Sequence, residues 1–185
     1  MNELKQLTDK INEFKQRTND YLLEVKNTIH DIERGNRPID PFVLSYFTYS
    51  TSLSHDNHSE NIIIANFHIL NLSDQTLKNP IICIQLSENS PFSFTGKYIL
   101  GDSQQQASTN DTWQRMNEQA DENEYWLRPM NQDELKPYEE LVYSQFQLKW
   151  FQAASYSGSV NGFVYFDQKP EGMPAINPIN MSGQM

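Results

Sequence analysis

The sequence predicts a mainly β chain: an antiparallel β-sandwich over residues 42–168, preceded by a long amphipathic, coiled-coil-like helix over residues 1–35. Two patterns predict this. Up to Gly35 the apolar residues recur at alternating steps of three and four, and after Pro41 they recur at steps of two among β-branched and aromatic residues. A third observation is the material for a core. Of 185 residues, 37% are hydrophobic, and the aromatics number 10 Phe, 9 Tyr and 3 Trp. A chain of this length buries about 70% of the surface it exposes when unfolded.

In the N-terminal segment Leu4, Leu7, Ile11 and Phe14 continue through Thr18, Tyr21, Val25, Thr28 and Ile32, a heptad seam with Leu4 at a and Leu7 at d. Gly35 is the expected stop, and Arg37-Pro38 prevents resumption, which leaves residues 36–41 as a linker. Helices depend on packing for most of their stability, so the stripe is expected to drive homo-oligomerisation. Lys10 at g would face Lys15 at e in a parallel dimer, and Leu22 and Ile29 widen the stripe. A trimer, a tetramer or an antiparallel pair fits better; a helix folded back on its own domain is the alternative.

Strands are expected at Val43–Ser50, Asn61–Leu72, Pro80–Leu86, Phe92–Leu100, Glu124–Arg128, Val142–Phe151 and Val160–Phe166. Ile63, Ala65, Phe67 and Ile69 share one face, as do Ile82, Ile84 and Leu86, then Phe146, Leu148 and Trp150, then Val160, Val164 and Phe166. Strands without intervening helices point to an antiparallel sandwich. Asp111–Gln119 could form one short capped helix, and residues 169–185, with Pro170, Gly172, Pro174, Pro178 and Gly183, read as a flexible tail.

The net charge of −10 is unevenly placed, because residues 101–140 carry ten acids against Arg115, Arg128 and Lys136. Nucleic-acid binding needs Lys and Arg along phosphates, and there is no basic cluster, so no nucleic acid and no anionic membrane surface is expected as a partner. No run approaches the roughly 20 apolar residues of a membrane span. Met1-Asn2-Glu3 does not open a signal peptide, so the expected location is cytoplasmic, with a non-classical surface or assembly site as the alternative.

The strand Ile64-Ala65-Asn66-Phe67-His68-Ile69-Leu70-Asn71, its polar turn through Ser73-Asp74-Gln75-Thr76, and the apolar strand Pro80–Leu86 resemble the opening hairpin of bacterial immunoglobulin-like domains. Leu135-Lys136-Pro137-Tyr138-Glu139-Glu140 is similar to the leucine, proline, glycine, acid turn before their late strand, with Tyr138 in place of the glycine. The resemblance covers residues 61–167. It implies an immunoglobulin-like, adhesion-type β-sandwich with a binding or structural role and no catalytic residues to transfer.

Chemistry is sparse. His55 and His58, with Asp56 and Glu60, are weak candidates for a divalent metal, set against a solvated hairpin loop; no metal and no cofactor is the expectation. Adjacent acids, Glu122 with Glu124 or Glu139 with Glu140, could serve a hydrolase but carry little specificity. Cys83 lies between Ile82 and Ile84, with no basic neighbour to activate it. His68 falls on a polar strand face without a partner that spacing can identify. The acidic segment carries Trp113, Tyr125 and Trp126 beside Asp121, Glu122 and Glu124, which makes these six the expected interaction surface. The expected function is a non-enzymatic, oligomeric structural or protein-interaction module with a protein partner. The alternative is a carbohydrate- or peptide-binding module using these aromatics, which could instead plug the end of the sandwich.

Overall fold

The structure, a computed structural model, describes residue 10 and residues 15–18, 42–54, 59–100, 112–117, 123–151 and 155–184. The chain divides into two units, Met1–Asp40 and Pro41–Met185. Among its described residues the second holds thirteen strands: β1 (Val43–Ser52), β2 (Glu60–Asn71), β3 (Leu77–Lys78), β4 (Ile81–Leu86), β5 (Ser93–Thr95), β6 (Tyr98–Leu100), β7 (Trp113–Arg115), β8 (Glu124–Pro129), β9 (Glu134–Leu135), β10 (Glu140–Phe151), β11 (Ser155–Phe166), β12 (Lys169–Pro174) and β13 (Ile179–Gln184).

One sheet runs β1-β2-β10-β5 and the other β12-β11-β4-β8-β7-β6, with β13 also paired to β11; β3 and β9 form a small third ladder. Every pairing is antiparallel except β6 with β7. The two large sheets are bridged by aromatic contacts: Phe94 against Tyr125 at 4.0 Å and Trp113 edge-on to Tyr143 at 5.1 Å. The arrangement is mainly β and compatible with a β-sandwich. Gly162 on β11 permits the close approach, since a Cβ there would sit 2.7 Å from ring atoms of both Phe47 and Phe67.

Period two places the core where alternation requires. Ile63, Ala65, Phe67 and Ile69 are fully buried, as are Phe146 and Leu148, Ile82 and Ile84, and Val160 and Val164. Tyr143 and Phe146 are three apart yet both point inward, because the β2–β10 register shifts between them at a bulge where Gln145 takes φ of 56°. Their rings stack 5.7 Å apart.

Four expectations are corrected. Among the described residues helix is confined to Lys10 and residues 15–18, so the long N-terminal amphipathic helix is not supported. Lys15, Gln16, Arg17 and Thr18 are all exposed, so the described helical residues bury no apolar face of the kind that stabilises an amphipathic helix. The seam residues Leu4, Leu7, Ile11, Phe14, Tyr21, Val25 and Ile32, with the linker 36–41, lie outside the described residues. Residues 113–115, expected to be helical, form β7, whose Trp113 and Arg115 pack into the core. Residues 169–184 supply β12 and β13: Pro170 and Pro174 lie on an edge strand, where a missing N–H is tolerated, and Ile179 is fully buried. Finally, β2 and β4 are not a hairpin, because they belong to different sheets.

The turn chemistry behind that crossover is legible at Asn71, which is fully buried. Its Nδ2 donates to the carbonyls of Gln75, Leu135 and Lys136, at 2.7, 3.1 and 3.0 Å, and its Oδ1 accepts from Ser73 N and Ser73 Oγ at 3.0 and 2.6 Å. One side chain thus ties the turn after β2 to the turn before β10. Tyr138, in the latter turn, takes φ of 61°, the left-handed conformation a glycine would adopt freely. Among the described residues no helix is long and apolar enough to cross a membrane.

Candidate functional site

The side chains that alternate outward from the seven-stranded sheet form one continuous surface. Register sets its rows. Trp126, Cys83 and Phe163 lie opposite one another across β8, β4 and β11, and Glu124, Gln85 and Asn161 form the adjacent row. Along β11 the outward positions run Ser157, Ser159, Asn161, Phe163 and Tyr165, and β13 adds Ser182 opposite Ser157 and Asn180 opposite Ser159.

At one end sits an aromatic pair. The Trp126 and Tyr165 rings lie 5.0 Å apart at 37° and are both half-buried. The indole is fixed by hydrogen bonds: Trp126 Nε1 donates to Glu124 Oε2 at 3.0 Å, and Gln85 Nε2 donates to Glu124 Oε1 at 2.9 Å. The strand below is held by Asn117, whose Oδ1 accepts from Trp126 N at 3.2 Å while its Nδ2 donates to the Glu124 carbonyl at 2.8 Å. Gly172, with φ of 76°, makes room for the tyrosine, since a Cβ there would come within 2.4 Å of the Tyr165 ring. Beside the pair Cys83 is 3% exposed, and burial, with a smaller contribution from Glu124, pushes its thiol up to about 12. It is a packing residue and not a nucleophile.

At the other end the surface dips into an open hollow of about 630 Å³, lined mainly by uncharged polar groups: Ser87, Asn89, Ser157, Ser159, Asn180 and Ser182, with Glu88 also present. Amides and hydroxyls both donate and accept, so this end can hydrogen-bond a neutral polar ligand in either sense.

Of the six expected surface residues the structure brings Glu124 and Trp126 together on this face. Trp113 and Tyr125 instead belong to the core, 2% and 8% exposed. Both come from strands whose inward positions face Tyr143 and Phe94. Over the Tyr125 ring Arg115, 4% exposed, sits with its guanidinium carbon 4.5 Å from the centroid and donates from Nη2 to the Glu124 carbonyl at 3.2 Å. Asp121, Glu122, His55 and His58 lie outside the described residues. Among those described, no three His, Cys, Asp or Glu side chains are grouped to hold a metal ion. Sequence reasoning missed Tyr165, Gln85 and Asn161, although period two on their strands already placed them opposite the buried residues.

The outward face of the four-stranded sheet carries another arrangement invisible to spacing. His68 Nδ1 lies 2.7 Å from Glu140 Oε1 and His68 Nε2 lies 2.9 Å from Thr48 Oγ1, with the Tyr46 ring stacked on the imidazole at 4.8 Å. A carboxylate accepts, so Nδ1 donates to Glu140, and Nε2 completes the row with the Thr48 hydroxyl. The order carboxylate, imidazole, hydroxyl is that of an acyl-transfer relay. Here Thr48 Oγ1 also accepts from Asn66 Nδ2 at 3.2 Å, and Thr48 is exposed on an open sheet face. The chain of bonds ties β1, β2 and β10 edge to edge across an exposed surface, whereas acyl transfer needs a water-excluded site with oxyanion donors.

No family model and no curated protein matches the chain. Solved structures with some likeness include a family GH18 chitinase from Chromobacterium violaceum, with TM-score 0.34 and 9% identity over 70% of this chain and 18% of that one. Another is a GH20 exo beta-N-acetylglucosaminidase from Vibrio harveyi, with TM-score 0.31 and 9% identity over 77% of this chain and 17% of that one. The chain therefore spans less than a fifth of the length of either.

Proposed function

We propose that the chain is a non-enzymatic binding module of immunoglobulin-like β-sandwich type, which recognises a partner on the outward face of the seven-stranded sheet. The observation that carries this is the Trp126–Tyr165 pair, two large aromatic rings kept on an accessible surface and held in orientation by Glu124 and Gln85. A rigid amphipathic aromatic contributes contact area at little entropic cost, which is why such residues dominate binding energies. The likeness of the turn Leu135–Glu140 to that of adhesion-type domains supports the same reading.

The acidic part of the expected surface contributes less than its charge suggested. Both Glu124 oxygens already accept hydrogen bonds, Glu139 Oε2 accepts from Lys136 N at 2.8 Å, and Glu140 engages His68. These carboxylates organise turns and strands.

The test is the Trp126→Ala variant against a partner recovered with the intact protein from its native cell and then purified. Dissociation is expected to accelerate at least tenfold, which is about 1.4 kcal/mol. Stability should fall by only about 2 kcal/mol, because a half-buried ring on an outer face leaves no closed cavity. A loss of about 3–5 kcal/mol, the cost of truncating a core tryptophan, with dissociation unchanged, would make Trp126 architecture and overturn the proposal.

A further inference from the structure

We infer that the ligand of this face is an uncharged saccharide chain, laid along β11 with one sugar ring against Trp126 and Tyr165. The inference rests on the reading of the face as the recognition surface and adds the chemical class of what is recognised. A pyranose ring offers two different surfaces, a C–H face that packs on aromatic rings and an equatorial rim of hydroxyls that both donate and accept hydrogen bonds. The protein face has the same division. The Trp126–Tyr165 pair supplies the π-surface, and the row beside it carries three planar polar groups, Glu124, Gln85 and Asn161, able to hydrogen-bond a rim of hydroxyls.

Length and charge point the same way. From Tyr165 to Ser157 is eight residues of strand, about 26 Å at 3.3 Å per residue, long enough for several sugar rings in line. Beyond Phe163 that track leads through Asn161 into the hollow lined by serines and asparagines. The chain carries a net charge of −10, so an anionic polymer is repelled. Arg128, outward on β8, donates from Nε to Gln114 Oε1 at 2.8 Å, on the side away from β11. Each oxygen of the Glu124 carboxylate already accepts a hydrogen bond from within the protein, which orients that group along the sheet. Hydroxyl, amide and aromatic groups outnumber the carboxylates of Glu124 and Glu88 on this face, which suits a hydroxyl-rich ligand without negative charge.

The experiment uses the full chain and soluble hexasaccharides of glucose, xylose, mannose and N-acetylglucosamine, with hexagalacturonate as the charged control. Tryptophan fluorescence is a site-specific readout, because of three tryptophans Trp113 and Trp150 are each 2% exposed and only Trp126 borders the face. At least one neutral hexasaccharide is expected to change the emission saturably, and Trp126→Phe should abolish that change. By calorimetry, Asn161→Ala, an outward substitution that leaves the aromatic pair intact, should weaken binding several-fold with an unchanged thermal midpoint. No saturable binding of any neutral hexasaccharide, or equal binding of hexagalacturonate, would overturn the inference. If sugars fail while Trp126→Ala still accelerates release of a purified protein partner, the face remains the recognition surface and its ligand is a protein. If both measurements are flat, the face itself is not the site.

Discussion

Replacing Asn71 with alanine should be among the most damaging single changes to the fold, and its cost can be worked from the contacts. Asn71 is fully buried and its amide bridges two turns that lie 64 residues apart in sequence. Truncation leaves the Leu135 carbonyl and the Ser73 N–H, both in buried bonds, without their partner. A buried polar group stranded in this way costs about 1–3 kcal/mol, so the pair costs about 2–6 kcal/mol. That is a large part of the roughly 5–15 kcal/mol that holds a domain together. In urea, with a slope of about 2 kcal/mol per molar, the midpoint should fall by roughly 1–3 M with the slope unchanged. Asn71→Asp keeps an acceptor for Ser73 but turns a carboxylate toward the carbonyls that Nδ2 now serves, so it should rescue nothing at neutral pH. A loss below about 1 kcal/mol for Asn71→Ala would refute the assignment of this residue as the tie between the turns.

Three further outcomes follow from the same structure. Burial raises the Cys83 thiol from an ordinary 9.0 to about 12, so the folded state retains a proton that the unfolded state loses. That stabilisation is complete below pH 9.0 and is lost as pH rises toward 12, with a slope of at most about 1.4 kcal/mol per pH unit. Alkaline unfolding curves of Cys83→Ala should be flatter over this window, and iodoacetamide should modify Cys83 in urea but not in the native protein. Gly162→Ala should destabilise by about 1–3 kcal/mol through overpacking against Phe47 and Phe67, read by chemical denaturation. Tyr138→Gly should stabilise by about 1 kcal/mol, because it relieves a left-handed non-glycine residue whose side chain is 76% exposed and packs little; a lower thermal midpoint would contradict this.

What could be read from the sequence was whatever alternation alone determines. The inward faces of β2, β4, β10 and β11 followed from period two, since a side chain's face is fixed by parity. Tyr143 escaped that rule because parity flips at the Gln145 bulge, which no composition signal marks. Short strands escaped for a different reason. β3 and β9 have two residues each and β7 three, too few to show a period, and they exist because partners distant in sequence complete their ladders. The same holds for β12 and β13: their prolines and glycines read locally as tail, yet the edge of β11 accepts them. At the site, the sequence supplied Trp126 and Glu124 but grouped them with Trp113 and Tyr125 by proximity in the chain. Neighbours in a strand point to opposite faces, so Tyr125 and Trp126 could never have shared a surface. Tyr165 lies 39 positions from Trp126, and only the β4 strand between them brings their rings together.

The most direct measurement of where this protein binds is a backbone amide shift map, recorded on the full chain as the strongest ligand among the neutral hexasaccharides or the purified native partner is added. The perturbed amides are expected to cluster at Gln85, Glu124, Trp126, Asn161 and Phe163, the outward positions of three adjacent strands. Perturbations confined instead to His68, Thr48 and Glu140, on the opposite sheet, would contradict the assignment of the recognition face.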